Sequence, residues 1–221
     1  MLSTQYRRLL GEFLPRELGG DSAAWANANM GAADRAFARY LQASRFAPPS
    51  TVADWFSTDA RRWLYEMCDE VGRPRPDEKD ADRIAAAAHR YVQRNVDVHA
   101  PEIVRRLREL KGRGLTLHLA SGDHHEDLFG YLETMGIVEL FDRLYGSDLV
   151  NMWKSSADYY RAILRDACVA PTTAVVIDDS ERAIGWAAEC GLRGVLVRRG
   201  AGEPFEAAVL RAFDSIEPLL A

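Results

Sequence analysis

Asp178 and Asp179 stand side by side at the end of the apolar run Ala174-Val175-Val176-Ile177. Neighbouring carboxylates repel and raise each other's pKa unless a cation or hydrogen-bond donors neutralise them, so the pair costs stability without a partner. A divalent cation is the obvious candidate. Mg²⁺ suits the donor type, because it is held by one or two carboxylates with waters and substrate phosphate completing its shell. Two further groups follow apolar runs or precede helical ones. Ser121 and Gly122 come directly after LTLHLA, residues 115 to 120, where a hydroxyl and backbone N–H groups at a helix start could hold an anionic oxygen. Lys154 brings a point charge suited to phosphate.

Other polar and aromatic residues carry weaker signals. His124-His125 resembles a metal pair, but adjacent residues on a helix point in different directions and no third ligand is spaced to join them, so we assign no metal there. His118, inside the strand-like run, reads as a hydrogen-bonded core histidine. Trp25, Trp55 and Trp63 read as core of a helical segment, with one substrate-facing ring among them as the alternative.

The elements that must position these groups fall into two halves. Residues 1–95 contain almost nothing strand-like and repeat their apolar positions at helical spacing. Asp21 can cap a helix through SAAWANANMGAADRAFARYLQAS. Pro48-Pro49 breaks the chain, and Ser57 or Thr58 can start the next helix through Trp63. VGRPRPDEKD, residues 71 to 80, is an inter-helix loop, and Asp77 to Asn95 is a further helix. From 96 to 221 short apolar strands alternate with helices, the pattern of a parallel sheet with crossover helices. Pro101 starts a helix that Gly112 and Gly114 end, LTLHLA is a strand, and Ser121-Gly122-Asp123 turns into another helix. In an open parallel sheet the carboxyl ends of the strands share one crevice, which brings Ser121, Lys154 and the aspartate pair together.

Bulk properties agree with a small-molecule role. The 221 residues suffice for one compact unit with a lobe, and a net charge of −5 gives no basic stripe for a nucleic-acid backbone. Three cysteines without metal-ligand spacing, no signal peptide and no run of about 18 apolar residues predict a reduced, cytoplasmic chain with no membrane partner.

The order LHLASGD, LFDRLYGSDLV, a lysine followed by Tyr159 and Tyr160, and VVIDDSERAIGWAAECGLRGVLV resembles the haloacid dehalogenase-like (HAD) hydrolase superfamily over roughly residues 96 to 199. The resemblance implies a Rossmann-like α/β core, 96–221, with an all-helical cap, 1–95. It makes Ser121 the second-motif hydroxyl, Lys154 the third-motif lysine and Asp178-Asp179 the acidic fourth motif, with Gly122 beside the phosphate. The acidic pair favours the Mg²⁺-dependent phosphatase branch over the metal-free dehalogenases, with a small phosphorylated metabolite as substrate.

The family's nucleophile and general acid/base lie in a DxDx[TV] motif ending the first, central strand. No apolar strand precedes the first helix of this chain, and Asp80-Ala81-Asp82 sits in a polar helical run. QYRRLLGEFLPREL resembles the first cap helix, so in-frame sequence upstream of Met1 is expected to encode the strand and its aspartates. A chain without it is expected to be catalytically incomplete, the alternative being a non-catalytic HAD-like binding or interaction module. A phospho-acceptor receiver domain fails on order, since its acidic pair follows the first strand.

Overall fold

The computed structural model describes residues 2–47, 50–98 and 100–219, so the Pro48-Pro49 break lies outside the described residues. Four helices come first: α1 (Leu2–Leu18), α2 (Ser22–Ala43), α3 (Val52–Val71) and α4 (Glu78–Asn95). Asp21 caps α2 as expected, accepting from Ala24 N at 2.9 Å, and Asp77 caps α4, accepting from Asp80 N at 2.8 Å. The third helix starts earlier than Ser57 or Thr58. Thr51 and Asp54 form a reciprocal capping box, Asp54 N to Thr51 Oγ1 at 3.0 Å and Thr51 N to Asp54 Oδ2 at 3.3 Å, which satisfies two backbone donors at the new start.

Helical spacing puts Leu9, Leu14, Trp25, Leu64, Met67 and Ala85 into one core, with Trp25 fully buried. Each such large side chain contributes roughly 1.5–3 kcal/mol of burial. The indole N–H groups are satisfied inside it: Trp25 donates to Gly19 O at 2.8 Å and Trp63 to Asn29 Oδ1 at 3.0 Å.

The second half runs α5 (Pro101–Gly112), β1 (His118–Ala120), α6 (His125–Thr134), β2 (Arg143–Tyr145), α7 (Ser147–Val150), α8 (Ala157–Ala167), β3 (Val175–Asp178), α9 (Glu181–Glu189), β4 (Arg193–Leu196) and α10 (Phe205–Ile216). Pairing is parallel throughout, with Leu119 opposite Leu144 in β1–β2 and Ile177 opposite Val195 in β3–β4. The strands form two two-stranded sheets rather than one, and among the described residues no strand joins β1 to β3. A slot of about 800 Å³ separates them, walled by Leu117 and Leu119 on one side and Val175 and Ile177 on the other. LTLHLA accordingly forms a ladder only over its last three residues, where β2 offers a partner. The chain is therefore a helix-rich α/β fold with small parallel sheets and a helical lobe. α4 meets α6 through Asp127, which faces both His89 and Gln93, and through Thr134 Oγ1, which donates to Gln93 O at 2.9 Å.

Candidate functional site

Lys154 lies just before α8, and its ammonium reaches the carboxyl ends of both half-sheets. Nζ donates to Ala120 O at the end of β1 at 3.0 Å and to Asp178 Oδ2 at the end of β3 at 2.6 Å. The carboxyl ends of the two strands therefore open onto one crevice. Lysine has three N–H donors, so one remains for an oxygen entering the crevice. The repulsion between the aspartates is relieved by this ammonium on Asp178, whose Oδ1 also accepts from Ser180 N at 2.8 Å. Asp179 is exposed and makes no hydrogen bond or ion pair among the described residues.

This division bears on a metal. Both Asp178 oxygens are engaged by protein donors, and Asp179 is the open carboxylate. The pair has no third His, Cys, Asp or Glu side chain close enough, among the described residues, to complete a protein cage. Mg²⁺ tolerates one or two carboxylates when substrate oxygens and waters supply the rest, so Asp179 fits as a ligand and Asp178 fits through its remaining lone pairs.

Ser121 and Gly122 lie at the same crevice, but not at a helix start. α6 begins at His125 with His124 as N-cap, its ring accepting from Glu126 N at 3.3 Å, so the expectation that Ser121 begins the helix is corrected. Ser121 instead closes a tight turn with Asp123, donating Oγ to Asp123 Oδ2 at 2.8 Å and accepting from Asp123 N at 3.2 Å. The hydroxyl must leave Asp123 to reach an anion. Tyr159 OH holds the backbone, donating to the carbonyls of Tyr145 at 2.6 Å and Ser121 at 2.9 Å, and burial pushes its phenol pKa up.

At Gly122 a Cβ would collide with the Tyr40 hydroxyl from α2 and lie 3.9 Å from Lys154 Cβ. Only glycine lets the helical lobe approach the loop this closely. Burial, and then Asp123, raise the Tyr40 pKa, so the hydroxyl stays protonated as a donor. Around it stand Trp55, Phe56 and Trp153, edge to face, with Trp55–Trp153 centroids 5.0 Å apart and Tyr40–Trp153 5.6 Å apart. Trp153 Nε1 is buried without a partner. The crevice thus gathers an ammonium and hydroxyls beside an aromatic wall, a donor set suited to a small anion.

The other assignments divide. Trp25 and Trp63 are core, whereas Trp55 faces the crevice wall. Asp80 and Asp82 lie on the outer face of α4 in ion pairs with Arg83 and Arg61. His118 is not the hydrogen-bonded core residue expected: its Nδ1 is buried without a partner, because it borders the slot rather than a filled sheet, and burial lowers its pKa. His124 and His125 meet a third group, Asp148 of α7, which sequence spacing did not reveal. Tyr40, Phe56 and Trp153 were also missed. Trp153 had one signal, its place next to Lys154.

Parallel half-sheets with a lysine–carboxylate pair at their shared carboxyl edge, under a helical lobe, define an α/β protein built to handle a small polar ligand. A family model described as haloacid dehalogenase-like hydrolase matches residues 11–191, and the chain belongs to this family. Among solved structures, a dehalogenase with an intermediate complex matches at 17% identity and TM-score 0.60, covering 100% of this chain and 92% of that one. The L-2-haloacid dehalogenase of Xanthobacter autotrophicus with covalently bound chloropropionic acid matches at 17% identity and TM-score 0.60, over 95% of this chain and 77% of that one. At such identities the likeness establishes the fold. No curated protein matches the chain. No described helix is long and apolar enough to cross a membrane.

Proposed function

We propose that this HAD-like hydrolase is a phosphatase of small phosphorylated metabolites, with residues 1–95 as a cap over a core of 96–221. The observation that carries the reading is the Lys154 ammonium, which bridges the ends of β1 and β3 and keeps one N–H for a phosphoryl oxygen. Ser121, once released from Asp123, donates a second hydrogen bond beside Gly122. Asp179 is the open acidic ligand for Mg²⁺, with Asp178 held behind it by Lys154. When bound, Mg²⁺ supplies charge neutralisation of the phosphoryl oxygens. The Tyr40, Trp55, Phe56 and Trp153 wall excludes water and limits substrate size. The setting is cytoplasmic, consistent with three free cysteines, and neither nucleic acid nor membrane is a partner.

The attacking carboxylate is the part to be supplied. We place it on an apolar strand seated between β1 and β3 and ending in DxDx[TV] beside Lys154 and Asp178. The 221-residue chain alone is expected to show little or no hydrolysis of an aryl phosphate with Mg²⁺. The strand-bearing chain is expected to turn over, and Asp179→Ala to abolish that turnover. Robust activity of the 221-residue chain, lost in Asp179→Ala, would show that a different group attacks. No turnover by the strand-bearing chain would favour the non-catalytic binding module, which keeps the anion cradle without a nucleophile.

A further inference from the structure

Asp148 has a side chain only 3% exposed, yet no lysine or arginine pairs with it among the described residues. Its surroundings are two histidines. Oδ1 accepts from His125 N at 2.8 Å, while Oδ2 contacts His125 Nδ1 and lies 3.4 Å from His124 Nε2. A carboxylate this buried is stable only with a positive partner, which two histidine rings alone leave open. The usual objection to adjacent ligands fails here for a backbone reason. His124 is the N-cap of α6, extended at φ −71° and ψ 140°, and only His125 is helical, so the two rings do not fan around a helix. Their centroids are 4.8 Å apart with planes inclined at 35°. One ligand atom from each of His124, His125 and Asp148 lies within 4.8 Å of the other two.

We propose that His124, His125 and Asp148 form a binding site for a divalent transition cation such as Zn²⁺, separate from the aspartate pair. The two-nitrogen, one-oxygen donor set selects borderline metals and disfavours Mg²⁺, which takes oxygen. Metal bonds of about 2.0–2.2 Å in tetrahedral geometry put ligand atoms about 3.3 Å apart, close to the His124–Asp148 separation already present. Ring rotation opens the shorter His125–Asp148 contact and closes the separation between the two rings. The cation takes the place of the proton between His125 Nδ1 and Asp148 Oδ2, which leaves to solvent, while His124 moves its proton from Nε2 to Nδ1 and gives up the hydrogen bond it accepts from Glu126 N. Phe56 packs edge-on against the His124 ring at 5.5 Å and holds it toward Asp148. Three protein ligands leave a fourth position for water or a ligand atom, and the site ties α7 to the start of α6, three residues from Ser121.

The test uses the whole chain stripped with EDTA and titrated with Co²⁺ and Zn²⁺. The expected result is one equivalent of Co²⁺ with the visible ligand-field absorption of a four-coordinate site, displaced by Zn²⁺ and not by excess Mg²⁺. His124→Ala leaves the Asp148 cap on His125 N in place, so its circular dichroism should be unchanged while Co²⁺ affinity falls at least about 100-fold. Asp148→Asn, which keeps an acceptor for that cap, should show the same loss. No visible band in the unmodified chain, or bands that persist in both variants, would overturn the proposal. Those results would leave a histidine–carboxylate hydrogen bond that only caps α6.

Discussion

Removing the Lys154 ammonium strands Asp178, whose side chain is 10% exposed, without its counter-charge. Breaking a fully buried pair from one side costs about 3–5 kcal/mol, and the partial exposure here brings the expectation for Lys154→Met to about 2–3 kcal/mol. Chemical denaturation should show this loss, and Lys154→Met with Asp178→Asn should recover part of it; equal losses in the single and double variants would mean that the pair is not coupled. At Gly122 the expectation comes from space: Gly122→Ala pushes on the Tyr40 hydroxyl and should cost about 1–3 kcal/mol, with a change in tryptophan emission from Trp55 and Trp153. Unchanged stability and emission would show that the lobe does not rest on this loop. Lys154 and the aspartates were legible because they follow or adjoin apolar runs in a fixed order. Tyr40 and Asp148 were not, since each reaches its neighbours from an element distant in sequence, and periodicity reports only a residue's own element.

Between elements, the contact of α4 with α6 carries a pH dependence whose sign can be worked out. Burial lowers the His89 pKa, but the facing Asp127 carboxylate outweighs it and the net shift is upward. Burial raises the Asp127 pKa, and hydrogen bonding and charge from His89, with help from His124 and Gln93, outweigh it, so its net shift is downward. A raised histidine stabilises fully below its unfolded value of about 6.5 and loses that contribution as pH rises through its folded pKa; a lowered aspartate stabilises fully above about 3.9 and loses it as pH falls. The contact should thus be firmest between roughly pH 4 and 6.5, and both groups are partly exposed, so the effect should stay below about 1 kcal/mol. Melting temperature against pH should fall more from pH 6 to 8 in the unmodified chain than in His89→Gln; identical slopes would remove His89 as the cause. Helix identity was readable here from caps such as Asp77 and Asp21, which act within one turn. The start of α3 was misplaced because Ser57 and Thr58 are equally good caps in isolation, and only the Thr51–Asp54 reciprocal pair decides between them. β1 is shorter than its apolar run for a different reason: a strand is defined by its neighbour, and half of LTLHLA has none.

At the scale of the molecule, the two half-sheets are a feature that the sequence alone does not resolve, because an apolar run marks a strand and not which neighbour it finds. They stay apart, and the slot between them has the properties of a strand position. Its walls are largely apolar, both bordering strands present free edges, and their carboxyl ends meet at Lys154. The Tyr160 hydroxyl, buried without a partner, and His118 Nδ1 also border the slot, leaving polar atoms that an occupant could satisfy. An extended apolar peptide of about six residues ending in Asp-x-Asp should therefore stabilise the chain when added in trans, by about 2.7 kcal/mol at a hundred times its Kd, seen as a rise in melting temperature. Amide exchange should slow at His118, Ala120, Val175 and Ile177, whose N–H groups face away from β2 and β4, as the free edges become paired, and the same peptide with a central proline should do neither, because it lacks the donor the ladder needs. Slowed exchange confined to β2 and β4, the outer strands, would place the peptide elsewhere and leave the slot as a collapsed apolar seam. Slowed exchange at β1 and β3 together with new aryl phosphate hydrolysis would show that one strand supplies both the missing packing and the missing carboxylate, which is why the fold and the chemistry of this chain should be gained in the same step.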